Sequence, residues 1–144
     1  MTENDVAYLA GLIDGEGSIY FRKNHKQRRN TRPGKPIHNV TVIRLEIAMT
    51  DKDTIKWCHD TFKCGSFGER KVKPGYKRQW RWRVSHRDCL EICMAVWPHI
   101  KNKLHKIEQV IDHYEPHAKN LGDNVIDLEL EREVRKFNWD IHGN

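Results

Sequence analysis

Five arginines stand opposite the apolar positions of stretches in which polar and apolar residues alternate. Alternation of this kind is typical of a β-strand, in which successive side chains point to opposite faces of the sheet. A guanidinium carries a planar fork of donors that can bind a phosphate or pair with both acceptors of a guanine edge. The pattern therefore predicts a row of guanidiniums on one sheet face. These residues are Arg22, Arg44, Arg70, Arg81 and Arg83.

The net charge of +6 over 144 residues is distributed unevenly along the chain. Residues 1–16 carry four acids and no Lys or Arg, whereas residues 17–87 carry 19 bases and five acids, a net charge of +14. Residues 88–144 return to −4, with seven bases and 11 acids. A concentrated basic centre is typical of proteins that bind nucleic acid. An anionic membrane surface fits less well, because the basic stretch lacks helical periodicity.

The cysteines and histidines do not indicate a metal centre. Cys58, Cys64, Cys89 and Cys93 match no paired C-x₂-C zinc spacing, and we interpret them as buried free thiols. The nine histidines are scattered. No apolar run approaches the roughly 20 residues that cross a bilayer, and the N-terminal stretch is acidic. We therefore expect an intracellular protein of the cytoplasm, nucleoid or an organelle matrix, neither secreted nor membrane-bound.

The first helix is predicted over residues 4–15, with Thr2 or Asn4 as its N-cap. Its inward face holds apolar residues at helical spacing, Val6, Leu9, Ala10 and Ile13. A second stripe, repeating every four residues, holds only small residues, Ala7, Gly11 and Gly15. Each interior glycine costs a helix about 1 kcal/mol relative to alanine. We therefore expect another backbone to approach this face closely.

The rest of the chain predicts strands and helices that alternate in pairs. In chain order these are strands around Ile19–Phe21 and Ile43–Ile47, a helix over 52–63 opened by Thr50 with Asp53, strands at 66–72 and 77–85 with a turn at Pro74-Gly75, a helix from Ser85 to Pro98, and a helix over 99–114. The order αββαββαα predicts an α+β domain, an antiparallel four-stranded sheet with helices packed on one face. Residues 1–114 form the core domain, and 115–144 form a linker and a C-terminal helical extension of the same domain.

Residues 9–17 read LAGLIDGEG. This segment resembles the signature of the LAGLIDADG homing endonucleases at seven of nine positions. The two departures, Gly15 for alanine and Glu16 for aspartate, preserve size and charge. The order of elements over about 4–114 also resembles the core of that family, which implies a LAGLIDADG-type fold whose sheet binds DNA.

The resemblance implies an intron-encoded, site-specific endonuclease that hydrolyses both strands of a DNA duplex with Mg²⁺. The metal ligand would be Glu16, with the carbonyl of Gly15 as a second ligand. Mn²⁺ is an alternative cofactor, and Ca²⁺ is expected to support binding without efficient cleavage. Lys103, or in second place Lys101, would be the basic catalytic residue. Asp51 lies where the family often has a water-orienting residue, although helix capping explains it nearly as well.

The chain holds one copy of the motif, and one chain supplies one metal-binding carboxylate for a duplex of two strands. The resemblance therefore implies a homodimer on a long, near-palindromic target. Its interface would consist of the small residues of the first helix, Ala7, Gly11 and Gly15, together with the adjacent Leu12. Asp14 is expected to cap or hydrogen-bond near this interface.

The predicted DNA-contacting set combines outward strand positions with bases of the first strand–strand connection. Its members are Tyr20, Arg22, Asn24, Lys26, Arg28, Arg29, Arg32, Arg44, Glu46, Arg70, Gln79, Arg81 and Arg83. Glu46 either accepts from a cytosine amine or pairs with Arg44 or Arg22, and we favour the ion pair. Two alternatives remain open on the same fold: a DNA-binding regulator that does not cleave, and an RNA-splicing maturase with RNA as a partner.

Overall fold

The chain changes from helix to strand between Glu16 and Gly17, where the acidic motif segment ends. The computed structural model describes residues 1–26 and 39–114. Their elements are α1 (Glu3–Glu16), β1 (Gly17–Lys26), β2 (Asn39–Met49), α2 (Lys52–Phe62), β3 (Ser66–Arg70), β4 (Gln79–Ser85), α3 (His86–Val96) and α4 (Leu104–Tyr114). This order confirms the predicted αββαββαα arrangement and the α+β class. The predicted linker and extension, 115–144, lie outside the described residues.

The four strands form one antiparallel sheet in the order β1-β2-β4-β3. Its inner face is apolar, because alternate residues of the two central strands are buried, among them Leu45 and Ile47 of β2 and Trp82 and Val84 of β4. All four helices contact the sheet. The polar residues of the same strands therefore lie on the opposite face.

The predicted inward side of α1 is confirmed, since Val6, Leu9, Ala10 and Ile13 are all buried in the core. Two tryptophans are the largest buried side chains, and each indole N–H has an acceptor. Trp82 Nε1 donates to the carbonyl of Cys64 at 2.8 Å, and Trp97 Nε1 donates to Glu108 at 3.2 Å. The core therefore buries these large rings without leaving their polar atoms unsatisfied.

Helix N-termini follow the predicted signals in part. Thr2 caps α1 through a reciprocal capping box with Asp5, while Asn4 lies inside the helix. The cap of α2 is Asp51 and not the predicted Thr50. The Asp51 carboxylate accepts from the hydroxyl of Thr54 at 2.6 Å instead of closing a capping box. Position 85 is the predicted N-cap of α3, although its side chain makes no capping bond.

The prediction that α4 begins at residue 99 is wrong, because the helix starts at Leu104. The preceding segment forms turns in which the N–H groups of His99 and Ile100 donate to the carbonyl of Val96. The predicted turn at Pro74-Gly75 is confirmed, since Tyr76 N–H donates to the carbonyl of Lys73 at 3.1 Å. The flanking strands are two residues shorter on the side of this turn than predicted.

All four cysteines are free thiols, and Cys58, Cys89 and Cys93 are buried. Burial raises the pKa of Cys58 to about 12. In the part of the chain that the structure describes, no helix has both the length and the apolar character that a membrane crossing requires.

Two glycines with positive φ differ in their surroundings, and this difference predicts unequal costs of substitution. Gly65 has φ +77°, and a Cβ there would lie 2.4 Å from the carbonyl oxygen of Arg83. Gly75 has φ +92° with open space around it. We expect Gly75→Ala to lower the free energy of unfolding by about 1 to 2 kcal/mol, the cost of left-handed backbone alone. Gly65→Ala should cost at least about 2 kcal/mol more, because the strand backbone must also move.

Urea denaturation of the two variants measures these costs. Equal losses of stability in both would contradict the close packing of Gly65 against β4.

Candidate nucleic-acid interface

Glu16 is the last residue of α1 and is exposed. The next residue, Gly17, is buried, and its N–H donates to the carbonyl of Ile13. A Cβ at position 17 would lie 2.8 Å from that carbonyl oxygen, so the tight passage from helix to strand requires glycine. The passage sets the Glu16 carboxylate directly at the start of β1.

The C-terminal turn of α1 is bonded to the segment that precedes α4. The Asp14 carboxylate accepts the backbone N–H groups of Lys101 at 2.9 Å and Lys103 at 3.0 Å. In return the Lys103 ammonium donates to the carbonyls of Ile13 at 2.9 Å and Asp14 at 2.8 Å. Both predicted basic residues thus lie against the helix end that carries Glu16. Lys101 is exposed and Lys103 is half-buried.

The outward face of the sheet and Glu16 line one concavity of about 420 Å³. Its lining residues are Glu16, Ser18, Tyr20, Arg44, Glu46, Ala48, Arg70 and Gln79. The structure therefore brings six predicted site residues together in one place. Sequence reasoning missed Ser18 and Ala48, although their alternation with apolar residues indicates the same face.

Two contacts order the guanidiniums of this concavity. The Arg44 guanidinium lies 4.7 Å from the ring centre of Tyr20, within cation–π range. Arg70 donates to the side-chain oxygen of Gln79 at 3.4 Å. These contacts join neighbouring strands across the face, on which Arg70 is exposed and Arg44 is half-buried.

The prediction that Glu46 pairs with Arg44 or Arg22 is wrong in its partner. Glu46 accepts from Arg83, at 2.9 Å from Nη2 and 3.1 Å from Nε. The reason is the strand register, which sets Glu46 directly opposite Arg83 on β4. Arg22 instead stands opposite Val42. Because the side chains of this pair are only 19% and 30% exposed, Arg83 is held by a partly desolvated ion pair.

Arg81 stands in a different setting from Arg83. Its register partners are Ala48 on one side and Gly68 on the other, two of the smallest residues of this face. Small neighbours leave room beside the Arg81 guanidinium for a ligand edge.

The remaining predicted contacts lie along β1 and beyond it. Arg22 is exposed. The strand register shifts between Arg22 and His25, a region that includes Asn24. Lys26 belongs to β1 and not to the predicted connection. Three further predicted residues, Arg28, Arg29 and Arg32, lie outside the described residues.

Asp51 lies at the same end of the sheet as Glu16, because β1 begins where β2 ends, with Gly17 opposite Ile47. Its side chain is exposed and is held by the Thr54 hydroxyl. One helical turn later, Ile55 is fully buried in the core. Ile55 therefore cannot present a polar group to the concavity, and Asp51 is the polar residue of this junction.

Sequence reasoning also missed the basic connection between β3 and β4, residues 71–78. All eight residues are exposed, and they include three lysines, Arg78 and a 69% exposed Tyr76. Arg78 binds Glu69 through two hydrogen bonds of 2.8 and 2.9 Å, which lowers the pKa of the Glu69 carboxyl. The signal was present in the composition of the turn, where basic residues flank Pro74-Gly75.

No side chain of residues 1–26 and 39–114 covers the small-residue face of α1. Ala7, Gly11 and Gly15 are exposed, and a Cβ added at either glycine would meet no atom within 4 Å. Leu12 is half-buried and packs against the core. Beside this face, Tyr8 is 53% exposed and its ring lies 5.0 Å from that of Trp57. Packing among the described residues therefore does not require the two glycines.

The end of α1 offers two oxygen atoms that could bind a metal ion. Within residues 1–26 and 39–114, no three His, Cys, Asp or Glu side chains gather into a metal-binding group. The Glu16 carboxylate and the Gly15 carbonyl are hard oxygen ligands of the kind that Mg²⁺ prefers. One chain offers too few ligands for a closed site, so further ligands would come from outside it.

No protein-family model and no curated protein sequence matches the chain. Solved structures do match its fold. The homing endonuclease I-CvuI, in complex with the I-CreI target DNA, is 16% identical with a TM-score of 0.60 over 76% of this chain. The archaeal intron-encoded homing endonuclease I-Vdi141I, complexed with DNA, is 13% identical with a TM-score of 0.58 over 76% of this chain.

A third similar structure is the group I intron-encoded homing endonuclease I-CeuI complexed with DNA. It is 14% identical, with a TM-score of 0.55 over 92% of this chain. The match spans 65% of the I-CvuI chain and 66% of the other two. The chain therefore has the α+β fold of the LAGLIDADG homing endonucleases.

Proposed function

We propose that the protein is a LAGLIDADG homing endonuclease, a homodimer that hydrolyses both strands of a long, near-palindromic DNA site with Mg²⁺. One observation carries the proposal: the Glu16 carboxylate shares a concavity with the guanidiniums of Arg44 and Arg70. Guanidiniums bind phosphates, and the exposed Glu16 carboxylate among them, unlike the Glu46 carboxylate that pairs with Arg83, would repel DNA unless a cation lay between. The arrangement therefore supports a metal-dependent reaction at a phosphodiester.

The sheet supports duplex DNA as the substrate. Its outward face belongs to the segment with a net charge of +14, and strands can lie in the major groove. The similar structures I-CvuI, I-Vdi141I and I-CeuI are complexes with DNA. The exposed Arg22 and the half-buried Arg44 and Arg81 would contact phosphates or base edges. The Glu46–Arg83 pair would present a hydrogen-bond acceptor beside a donor.

The residues at the end of α1 have distinct proposed roles. Glu16, with the carbonyl of Gly15, would hold Mg²⁺, and Mn²⁺ would serve in its place. When bound, the metal would polarise the phosphate and activate a water. Lys101 is exposed and free to approach a phosphate, and Asp51 would orient water from the β2–α2 junction. We propose direct hydrolysis by water, without a covalent protein intermediate.

The uncovered small face of α1 supports the homodimer. Gly11 and Gly15 weaken the helix, and neither serves packing within the part of the chain that the structure describes. Close approach of a second copy along Ala7, Gly11 and Gly15 would explain them, and it would bring two Glu16 carboxylates to the two strands of one duplex.

The activity is tested by selection on a randomised duplex library. Bound DNA is captured in Ca²⁺, and Mg²⁺ is then added and the cut ends are sequenced. Cleavage at a near-palindromic consensus supports the proposal. A consensus that is bound but never cut would favour the regulator, and failure to enrich any duplex would favour RNA as the partner.

Replacement of Glu16 separates binding from chemistry. We expect Glu16→Gln to bind the selected target within about threefold of the wild-type affinity, since the charge lost is not a DNA-binding one. Its single-turnover cleavage rate should fall by at least about 1,000-fold, because a neutral amide is a poor metal ligand. Glu69→Gln removes an exposed acid away from the concavity and should cut normally. Undiminished cleavage by Glu16→Gln would exclude the proposed role.

Replacement of Arg81 tests the sheet as the DNA interface. We expect Arg81→Gln to weaken binding about tenfold and to reduce the slope of log affinity against log salt by about 0.9 if it meets a phosphate. If it meets a base, specificity at that base pair should relax instead. The control is Lys56→Gln, an exposed lysine on α2 at the helical side. Equal effects of both variants would argue against a sheet-centred interface.

Replacement of Gly11 by alanine tests the dimer. Within one chain the new methyl group meets open space, so we expect the isolated fold to gain about 0.5 to 1 kcal/mol from helix propensity. Dimerisation should weaken, because the methyl group separates the two helices. Light scattering across a concentration series, together with thermal unfolding, measures both effects. A dimer of unchanged affinity would place the interface elsewhere.

A further inference from the structure

We propose that Lys103 and Asp14 are positioning residues that act through α1 to orient Glu16. They form a clamp between the C-terminal turn of α1 and the start of α4. Lys103 thereby acts on the helix that carries the metal ligand, and not on the scissile phosphate. The catalytic part of this inference rests on the proposed function, whereas the clamp itself is a property of the free protein.

The electrostatics of the two helices account for the clamp. Asp14 lies in the last turn of α1, where the negative end of the helix dipole disfavours an acid. Lys103 immediately precedes α4, where the positive end disfavours a base. Each side chain reaches across to the other helix end, where its charge is favourable. The last turn of α1 has no basic residue of its own, so Lys103 supplies the missing cation.

Hydrogen bonding at the end of α1 also favours the clamp. The last carbonyls of a helix have no intrahelical donor and need another partner. The Lys103 ammonium donates to one of these, on Asp14, at 2.8 Å, and it is a second donor to the Ile13 carbonyl at 2.9 Å. The Ile13 carbonyl also accepts Gly17 N–H, the bond that turns the chain into β1. One oxygen therefore joins Lys103 to the turn around Glu16.

Glu16 needs such support because of its neighbours. It lies between Gly15 and Gly17, and glycine is the residue that restrains the backbone least. The Glu16 side chain itself is exposed. Asp14 lies two positions before Glu16, and Lys103 contacts the same helical turn. Their hydrogen bonds are thus the restraints nearest to Glu16 on the helical side.

The same geometry argues against a direct role for Lys103 at the phosphate. An ammonium has three protons, and two of them are directed at backbone oxygens of α1. The side chain is half-buried, unlike that of Lys101. Leaving the two carbonyls would break charge-assisted hydrogen bonds at the helix end.

The clamp is tested first in the DNA-free protein by amide hydrogen exchange at Gly17. We expect Lys103→Met and Asp14→Asn each to accelerate exchange about tenfold or more, because charge-assisted bonds that hold the turn are lost. Lys103→Arg can still donate to both carbonyls and should stay within about threefold of wild type. Lys101→Met removes a nearby charge without touching the clamp and should not change exchange. Unchanged exchange in Lys103→Met overturns the clamp.

The positioning role is tested by Ca²⁺ titration calorimetry of the complex with the selected target DNA. Loss of a nearby positive charge by itself would tighten cation binding. Loss of a positioning residue would weaken it, because Glu16 would no longer be held. We expect Lys103→Met to weaken Ca²⁺ binding about tenfold and Lys103→Arg to restore it. Unchanged or tighter binding in Lys103→Met would overturn the positioning role.

Single-turnover cleavage completes the test. We expect Lys103→Met and Asp14→Asn each to slow cleavage by about 10- to 100-fold, and the double variant to be no slower than about the worse single one, as for two residues of one unit. Lys56→Met serves as the control. Multiplied losses in the double variant would overturn the shared role. If the wild-type protein neither binds nor cuts DNA, the proposed function fails, while the exchange measurement still decides the clamp.

Discussion

The reciprocal contact between Asp14 and Lys103 governs the end of α1, and through it the relation of the acidic motif to the sheet. The two side chains join helix ends of opposite polarity. The charge of each is unfavourable at its own helix end and favourable at the end that it contacts. The Asp14 carboxylate accepts hydrogen bonds from the backbone of the segment before α4. The Lys103 ammonium donates hydrogen bonds to the carbonyls at the end of α1. The junction thereby holds the helical turn from which Glu16 extends.

α1 serves three purposes on three sides. One side is buried in the core through Val6, Leu9 and Ile13. A second side has no large side chains at Gly11 and Gly15, and contacts within residues 1–26 and 39–114 do not require these glycines. Its end carries an exposed carboxylate beside a basic sheet. Because a helix rotates about 100° per residue, the eleven residues 6–16 can supply all three surfaces.

The arginines on the outward face of the sheet differ in the residues that surround them. Arg83 is bound to Glu46 in a partly desolvated pair, Arg44 lies on the ring of Tyr20, and Arg81 stands between small residues. Formal charge alone would treat the three as equal. Their register partners decide which guanidinium is committed to the protein and which remains available, so the ability of this face to discriminate among ligands depends on strand pairing more than on net charge.

The sequence alone determined the order of the elements, the inner face of α1, the turn at Pro74-Gly75 and the outward arginines. Each of these depends on periodicity or on residues close together in the chain, where local sterics and burial act. It did not determine the start of α4 at Leu104, because the segment before that helix is held by Asp14, almost ninety positions earlier. The partner of Glu46 and the meeting of Glu16 with Arg70 and Gln79 were likewise decided by the strand order β1-β2-β4-β3. Alternation states which face a residue occupies, but the neighbour across the sheet depends on which strands pair and in what register, and only the tertiary structure decides that.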